Sequence, residues 1–339
     1  MYASILLIQW MHGIGDNFFT LPAYHVVREA YPKATLTFLV AKQNAQIYQG
    51  FPGLNQVLTI DRQAYHGDSY KKMLSETIEL IRTVRRGNYQ LIIDFTSSGE
   101  TGLLALVSGA VERWGMIKRE RRRFRSLYYT RIYKSAENIH SADKYLELVK
   151  KGGLNPSVIK NQFQLPNKYI EKAGSLLEKF GITRKRPILF IQPFTSDPNK
   201  DWPLEKQIQV AEYYTKQGIQ ILFGGAPGER QRLREVEARF PVVAGKADLL
   251  TTAGLIKLST VVLGGDSGPL HMAVALGKRV VMFMGPTSPV RYGPYQRPSW
   301  VLTPDEGIDT GRIALKTVIE AIDEGFTEVQ GDENGIGNT

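Results

Sequence analysis

Short apolar runs and helical patterns alternate along the chain, and after Leu165-Pro166 the alternation starts again. Residues 5–9, 35–40, 56–60 and 90–95 read as strands. Between them, 20–30, 43–48 and 71–85 read as helices, the last with apolar residues at 73, 74, 78, 80, 81 and 84. Thr20 is placed to cap the first helix, with Pro22 in its opening turn, where a missing N–H does no harm. Beyond 166 the same pattern gives helices at 168–180, 204–217, 229–240 and after Pro269, and strands at 187–192, 219–223, 261–263 and 279–284. Such repetition predicts two doubly wound α/β domains, 1–165 and 166–325, each with a parallel sheet covered by helices on both faces. They are expected to face one another across a cleft, with ligands at the carboxyl ends of the strands. The polar, Gly-rich end of the chain, 326–339, reads as a flexible tail.

Composition narrows the chemistry. The 339 residues include no cysteine, which excludes disulfides, thiolate metal sites and cysteine nucleophiles and suits a reducing compartment. The start of the chain reads as a buried strand rather than a signal peptide, and no apolar stretch approaches the roughly 20 residues that span a bilayer. A cytoplasmic protein is expected. The net charge of +10 is uneven: residues 1–165 carry 22 Lys and Arg against 13 Asp and Glu (+9), the remainder 21 against 20 (+1). Nine basic residues and one acid, Glu120, fall between Arg113 and Lys134. That strip suits a solvated surface loop, nucleic acid, an anionic membrane surface or a phosphorylated substrate, and charge alone does not separate them.

Four motifs sit where strands are predicted to end. Gly13-Ile14-Gly15-Asp16 follows the first strand; its glycines permit a sharp turn, and Asp16 can serve as a general base. The dinucleotide fingerprint is absent, since no third glycine follows. Thr195 and Ser196, with Lys200 downstream, form a candidate phosphate clamp of two hydroxyls and one ammonium. Gly264 to His271 (GGDSGPLH) lies between a strand and a helix, so backbone N–H groups at the helix start, Gly268 among them, favour a diphosphate there. Asp266 can accept hydrogen bonds from sugar hydroxyls, Ser267 and Pro269 also suit plain helix entry, and His271 reads as a satisfied core histidine. Glu229, in the loop Gly224-Gly225-Ala226-Pro227-Gly228, is either a helix-start charge or a holder of ribose hydroxyls. No D-x-D occurs, and no G-x-x-x-x-G-K-[ST], so neither a metal–nucleotide glycosyltransferase site nor a P-loop is expected.

Together the GIGD turn, the T-S…N-K-D-W-P stretch, GGAPGE and GGDSGPLHMAVALGKRVVMFMGPTSPVRYGP resemble glycosyltransferase family nine, the ADP-heptose:lipopolysaccharide heptosyltransferases, over residues 1 to about 320. The resemblance implies a GT-B type fold of two Rossmann-like domains, the first binding acceptor and the second the nucleotide-sugar. It implies inverting transfer without a metal or other cofactor. By motif, Asp16 is the base; Thr195, Ser196, Lys200 and the Gly268 N–H meet the diphosphate; Glu229 lies on the nucleoside side; and Asp266, beside Ser267, is on the sugar. Asp201 receives no role. The implied partners are an ADP-sugar donor and the anionic lipopolysaccharide core, with Gly15, Arg121, Arg122 and Arg123 on the acceptor side and peripheral contact at the cytoplasmic face of the inner membrane. Two other readings are the same fold with another nucleotide-sugar, and a non-catalytic nucleic-acid-binding protein whose strip stacks bases on Phe124, Tyr128, Tyr129 and Tyr133. Nucleic acid is not the expected partner.

Overall fold

The computed structural model describes residues 2–61, 70–117 and 127–336. The chain divides into two compact units, Met1–Gln162 and Phe163–Thr339.

The first unit runs β1 (Ser4–Gln9), α1 (Ile14–Phe18), α2 (Leu21–Ala30), β2 (Thr35–Ala41), a 3-10 segment (Lys42–Gly50), β3 (Gln56–Ile60), α3 (Tyr70–Arg86), β4 (Leu91–Asp94), α4 (Gly99–Val107), β5 (Glu112–Ile117), β6 (Arg131–Lys134) and α5 (Ser141–Lys151). Its six strands are all parallel, in the order β3-β2-β1-β4-β5-β6. Strands β1, β2 and β4 are buried almost throughout, which is why they read as unbroken apolar runs. The order reverses between β1 and β4, so the crevice expected to take a ligand lies beyond Gln9 and Asp94.

The second unit runs α6 (Asn167–Lys179), β7 (Ile188–Gln192), α7 (Leu204–Lys216), β8 (Gln220–Phe223), α8 (Arg234–Glu237), α9 (Leu249–Leu258), β9 (Val261–Gly265), α10 (Gly268–Ala275), β10 (Arg279–Phe283), α11 (Pro289–Tyr292), β11 (Val301–Leu302) and α12 (Leu315–Ile336). Its sheet is parallel, in the order β11-β10-β9-β7-β8, and here the order reverses between β7 and β9. One core joins Leu189, Ile191, Phe223 and Leu263 of the sheet to Trp202, Tyr214 and the helices around them.

Three expectations need correction. Thr20 does not cap α2, because α1 runs almost directly into that helix and Thr20 already has helical angles (φ −81°, ψ −15°); its hydroxyl donates to the Asn17 carbonyl instead. The helix expected over 229–240 is a 3-10 turn at Pro227–Glu229 followed by α8 alone. Leu233, Val236 and Phe240 still reach the core, so the apolar spacing reported burial rather than a continuous helix. Residues 326–336 are not a tail but the end of α12, whose Val318, Ile322 and Phe326 follow one face into the core at four-residue spacing. The basic strip, one reading of which is a surface loop, has the paired strands β5 and β6 at its two ends, and its residues 118–126 lie outside the described residues.

Candidate active-site loops at the strand ends

In the first unit, β1 delivers the chain into Gly13-Ile14-Gly15-Asp16 beside the reversal point. Asp16 is half-buried in the first turn of α1, and its carboxylate occupies the space where a Gly13 side chain would begin, 2.5 Å from an ideal Cβ. Gly15 lies in the same turn, its carbonyl accepting from Phe19 N–H. Three buried amides brace this loop. Gln9 is the last residue of β1: its Nε2 donates to the Asp16 carbonyl (3.1 Å), while its Oε1 accepts from the Thr96 hydroxyl (3.1 Å). Asn17 Nδ2 donates to the Gly13 carbonyl (2.7 Å), and Asn44 Nδ2 to the carbonyls of Met11 and His12 (3.0 and 3.2 Å). None of the three is singled out by a motif. Each is a polar residue in or beside an apolar stretch, which is the signal that points to a buried hydrogen-bonding duty.

In the second unit, the loops after β7 and β9 meet. A Cβ at Gly265 would lie 2.7 Å from the Lys200 carbonyl oxygen, so only glycine allows this approach. Across it, Lys200 Nζ donates to Asp266 Oδ2 at 2.9 Å, and His271 Nε2 stands 2.9 Å from Asp266 Oδ1. Asp266 and His271 are both buried. Burial by itself raises the Asp266 carboxyl; hydrogen bonds and charge from His271, then Lys200, outweigh it and hold the group well below the usual carboxylate range. The carboxylate is therefore charged and already shared between two partners. His271 is a buried, partnered histidine as its sequence setting suggested, and that partner is the site aspartate.

Helix α10 opens beside this cluster. Ser267 is its N-cap residue but makes no side-chain cap, and its Oγ is buried without a hydrogen-bond partner. Gly268 is the first helical residue, at the end of the helix that carries partial positive charge. Thr195 and Ser196 divide. The buried Thr195 gives its hydroxyl proton to the Asp197 carbonyl (2.7 Å), while Ser196 is exposed. Asp201, to which the sequence assigned nothing, accepts from Thr195 N–H at 2.7 Å and fixes this loop. Arg232 stacks on Phe194 at 3.6 Å and lies 3.5 Å from Asp201. Glu229 closes its own turn by accepting from Ala226 N–H (2.7 Å).

The structure thus gathers Lys200, Asp266, Ser267 and Gly268 in one place and adds His271. Asp16 and Gly15 sit in the other unit. Arg121, Arg122 and Arg123 lie outside the described residues, as does Phe124. Tyr129 and Tyr133 are core residues rather than exposed rings, so they do not form the stacking surface that single-stranded nucleic acid needs. Among the described residues no group of three metal-ligating side chains comes together.

Comparison with known proteins gives a consistent set of matches. The model of glycosyltransferase family 9 (heptosyltransferase) matches residues 77–307. The lipopolysaccharide core heptosyltransferase OpsX of Haemophilus influenzae is 23% identical over 297 residues, 86% of this chain and 81% of its own. Among solved structures, a family 9 glycosyl transferase from Veillonella parvula superposes with a TM-score of 0.86 at 22% identity, covering 96% of this chain and 98% of the other. Escherichia coli heptosyltransferase WaaC, solved with ADP, gives 0.77 at 22% identity, covering 95% and 99%.

Proposed function

This chain belongs to glycosyltransferase family 9, and from that premise we propose that it moves a heptose from ADP-heptose to the inner core of lipopolysaccharide, inverting the anomeric centre without a metal. It is a glycosyltransferase with a GT-B type fold. In this reading residues 1–165 take the acceptor, 166–325 take the nucleotide-sugar, and the chain works at the cytoplasmic face of the inner membrane.

One observation carries the donor side: Asp266 holds the Lys200 ammonium, at 2.9 Å, beside the uncapped start of α10. Negative charge grows on a departing diphosphate. A cation already in place, together with N–H groups at a helix start, stabilises that charge without reorganising during the reaction. Lys200 then serves both Asp266 and the phosphate, and the second lone pairs of Asp266 remain for sugar hydroxyls. Ser196 and Ser267 have the hydroxyls best placed in the sequence to add donors to the phosphates, whereas that of Thr195 shapes the loop. Glu229 keeps a carboxylate oxygen for the ribose while its other oxygen closes the turn.

On the acceptor side, a sugar hydroxyl is a weak nucleophile at neutral pH, so a carboxylate must take its proton as the new bond forms. Asp16 fills that role. Gly15 permits close approach, and Arg121, Arg122 and Arg123 meet the phosphates and carboxylates of the acceptor. The reading is tested by Asp16→Asn, which retains size but cannot take a proton. With ADP-heptose and a lipopolysaccharide core acceptor, kcat should fall roughly 10²–10⁴-fold while ADP-sugar binding and thermal stability hold. Near-normal kcat would remove Asp16 as the base. A thermal-shift series in which UDP or GDP stabilises the chain more than ADP would replace the donor with another nucleotide-sugar.

A further inference from the structure

Arg230 and Arg232 both lie in the short turn between Glu229 and α8, and they are used differently. Arg230 pairs within its own region, its Nη2 donating to Glu237 at 3.4 Å. Arg232 crosses to the loop after β7. Its guanidinium lies 3.6 Å from the centre of the Phe194 ring, and its Nη2 stands 3.5 Å from Asp201 Oδ2. Phe194 is buried and directly precedes Thr195, so the ring holds this cation beside the candidate phosphate loop.

That contact leaves the guanidinium largely unused. The approach to Asp201 is an ion pair without a hydrogen bond, since Asp201 Oδ2 has no hydrogen-bond partner among the described residues. A guanidinium carries five N–H donors in a planar fork, and those of Arg232 make no hydrogen bond to a described residue. Its side chain is half exposed (51%), and a loose pair of that kind adds little to the fold. The placement is more informative than the pair. Glu229, three residues earlier, closes its turn at Ala226 N–H. In the proposed reading that turn meets the ribose, whereas the Thr195-Ser196 loop meets the diphosphate. A cation anchored on the first and stacked on the second stands where ribose passes into phosphate.

We propose that Arg232 binds the phosphate next to the ribose, its N–H groups donating to two oxygens of that phosphate. Lys200, held by Asp266 beside the start of α10, then serves the phosphate joined to the sugar. The division suits the two side chains. A planar fork grips two oxygens at once, whereas an ammonium acts as a point charge where negative charge builds on the leaving group. The proposal rests on the reading that the second unit takes a nucleotide-sugar, and it adds which cation holds which phosphate.

Calorimetric titration of the full chain with ADP, AMP and adenosine tests it, because AMP keeps the phosphate next to the ribose and adenosine lacks it. Arg232→Gln retains part of the stem but carries no charge. It should weaken ADP and AMP alike, by about tenfold or more, and leave adenosine unchanged. Arg232→Lys should recover only part of that loss, since an ammonium cannot present two parallel N–H groups. Stability in urea should change little in either variant. Weaker ADP with normal AMP would move Arg232 to the other phosphate. Equal losses for all three ligands would make it a brace of the loop, and unchanged binding of all three would leave it a surface residue. Each of these overturns the proposal while the functional reading stands. If UDP or GDP binds the unaltered chain more tightly than ADP, the donor reading fails instead. The same variants with that diphosphate, its monophosphate and its nucleoside still decide the role of Arg232. A chain that binds no nucleoside diphosphate overturns both.

Discussion

Each sheet ends a central strand in a buried aspartate beside its reversal point, Asp94 at the end of β4 and Asp266 just past β9. Their partners differ in charge. Asp94 accepts from Ser97 N–H (2.8 Å) and from the Tyr129 hydroxyl (2.7 Å), both neutral. Burial pushes its carboxyl up to about 6, and these hydrogen bonds only moderate the rise. Asp266 experiences the same burial but has Lys200 and His271, and its carboxyl falls well below the usual range. Burial sets the penalty for charge, and the partners decide whether the charge survives. Asp94 is accordingly part of the framework. It holds the turn where Ser97 adopts a left-handed conformation (φ 49°) and passes a hydrogen bond from Met116 N–H through the Ser97 hydroxyl. Asp266 is part of the proposed site.

The contrast is broken most severely by Asp266→Ala, which leaves the half-buried Lys200 ammonium without its carboxylate. Unfolding in urea should show a loss of about 3 kcal/mol or more, with transfer abolished. Retained stability would mean that the pair contributes little to the fold.

The two aspartates also predict opposite responses to pH. The folded Asp94 keeps its proton to about pH 6, whereas its unfolded value is near 3.8. The folded state therefore binds more protons between those values, and its stability falls as pH rises through them, by up to about 3 kcal/mol. Asp266 acts in the other direction, stabilising above its unfolded value and losing that contribution as pH drops below it. Asp94→Asn should remove the decline between about pH 4 and 6 and leave the acid limb in place. A variant whose stability profile overlays that of the unaltered chain would show that Asp94 is ionised in the fold at mild acid pH.

Lys200→Ala sharpens the other half. It removes one of two partners of Asp266 and the cation offered to the diphosphate, so ADP should bind more weakly by about 1.5–3 kcal/mol and turnover should fall. Unchanged ADP affinity would confine Lys200 to a structural pairing. The smallest effect expected is from chelation: transfer should persist in excess EDTA, because in the proposed mechanism Lys200 and the α10 start supply the positive charge. Loss of activity restored by magnesium or manganese would replace that account.

Much of this architecture follows from local pattern. Apolar runs such as Leu91-Ile92-Ile93 and Val261-Val262-Leu263 specify buried parallel strands, and the glycine-rich stretches after β1 and β9 mark where backbone must turn closely at a strand end. Asp266 is marked as a candidate in the sequence by such a stretch, and Lys200 by the Thr195-Ser196 turn that follows β7. Other features lie beyond any local pattern. Strands β5 and β6 are written in charged sequence, Glu-Arg-Trp-Gly-Met-Ile and Arg-Ile-Tyr-Lys, because β6 is the edge of the sheet and β5 its inner neighbour, where partly exposed positions need not be apolar. Thr20 looks like a cap until α1 is seen to precede it directly.

What the sequence determined by itself is the order of the buried central strands and most of the helices between them, the doubling of the α/β pattern and the placing of polar motifs at strand ends, since these depend on spacing within a few turns or one strand. Tertiary structure alone decided which charges meet. Lys200 and Asp266 are 66 residues apart, joined because β7 and β9 are neighbours in the sheet, and Tyr129 reaches Asp94 across 35 residues. Electrostatic free energy depends on distance in space and on burial, neither of which a linear spacing contains, so two aspartates alike in sequence setting acquire opposite character only when the sheets assemble.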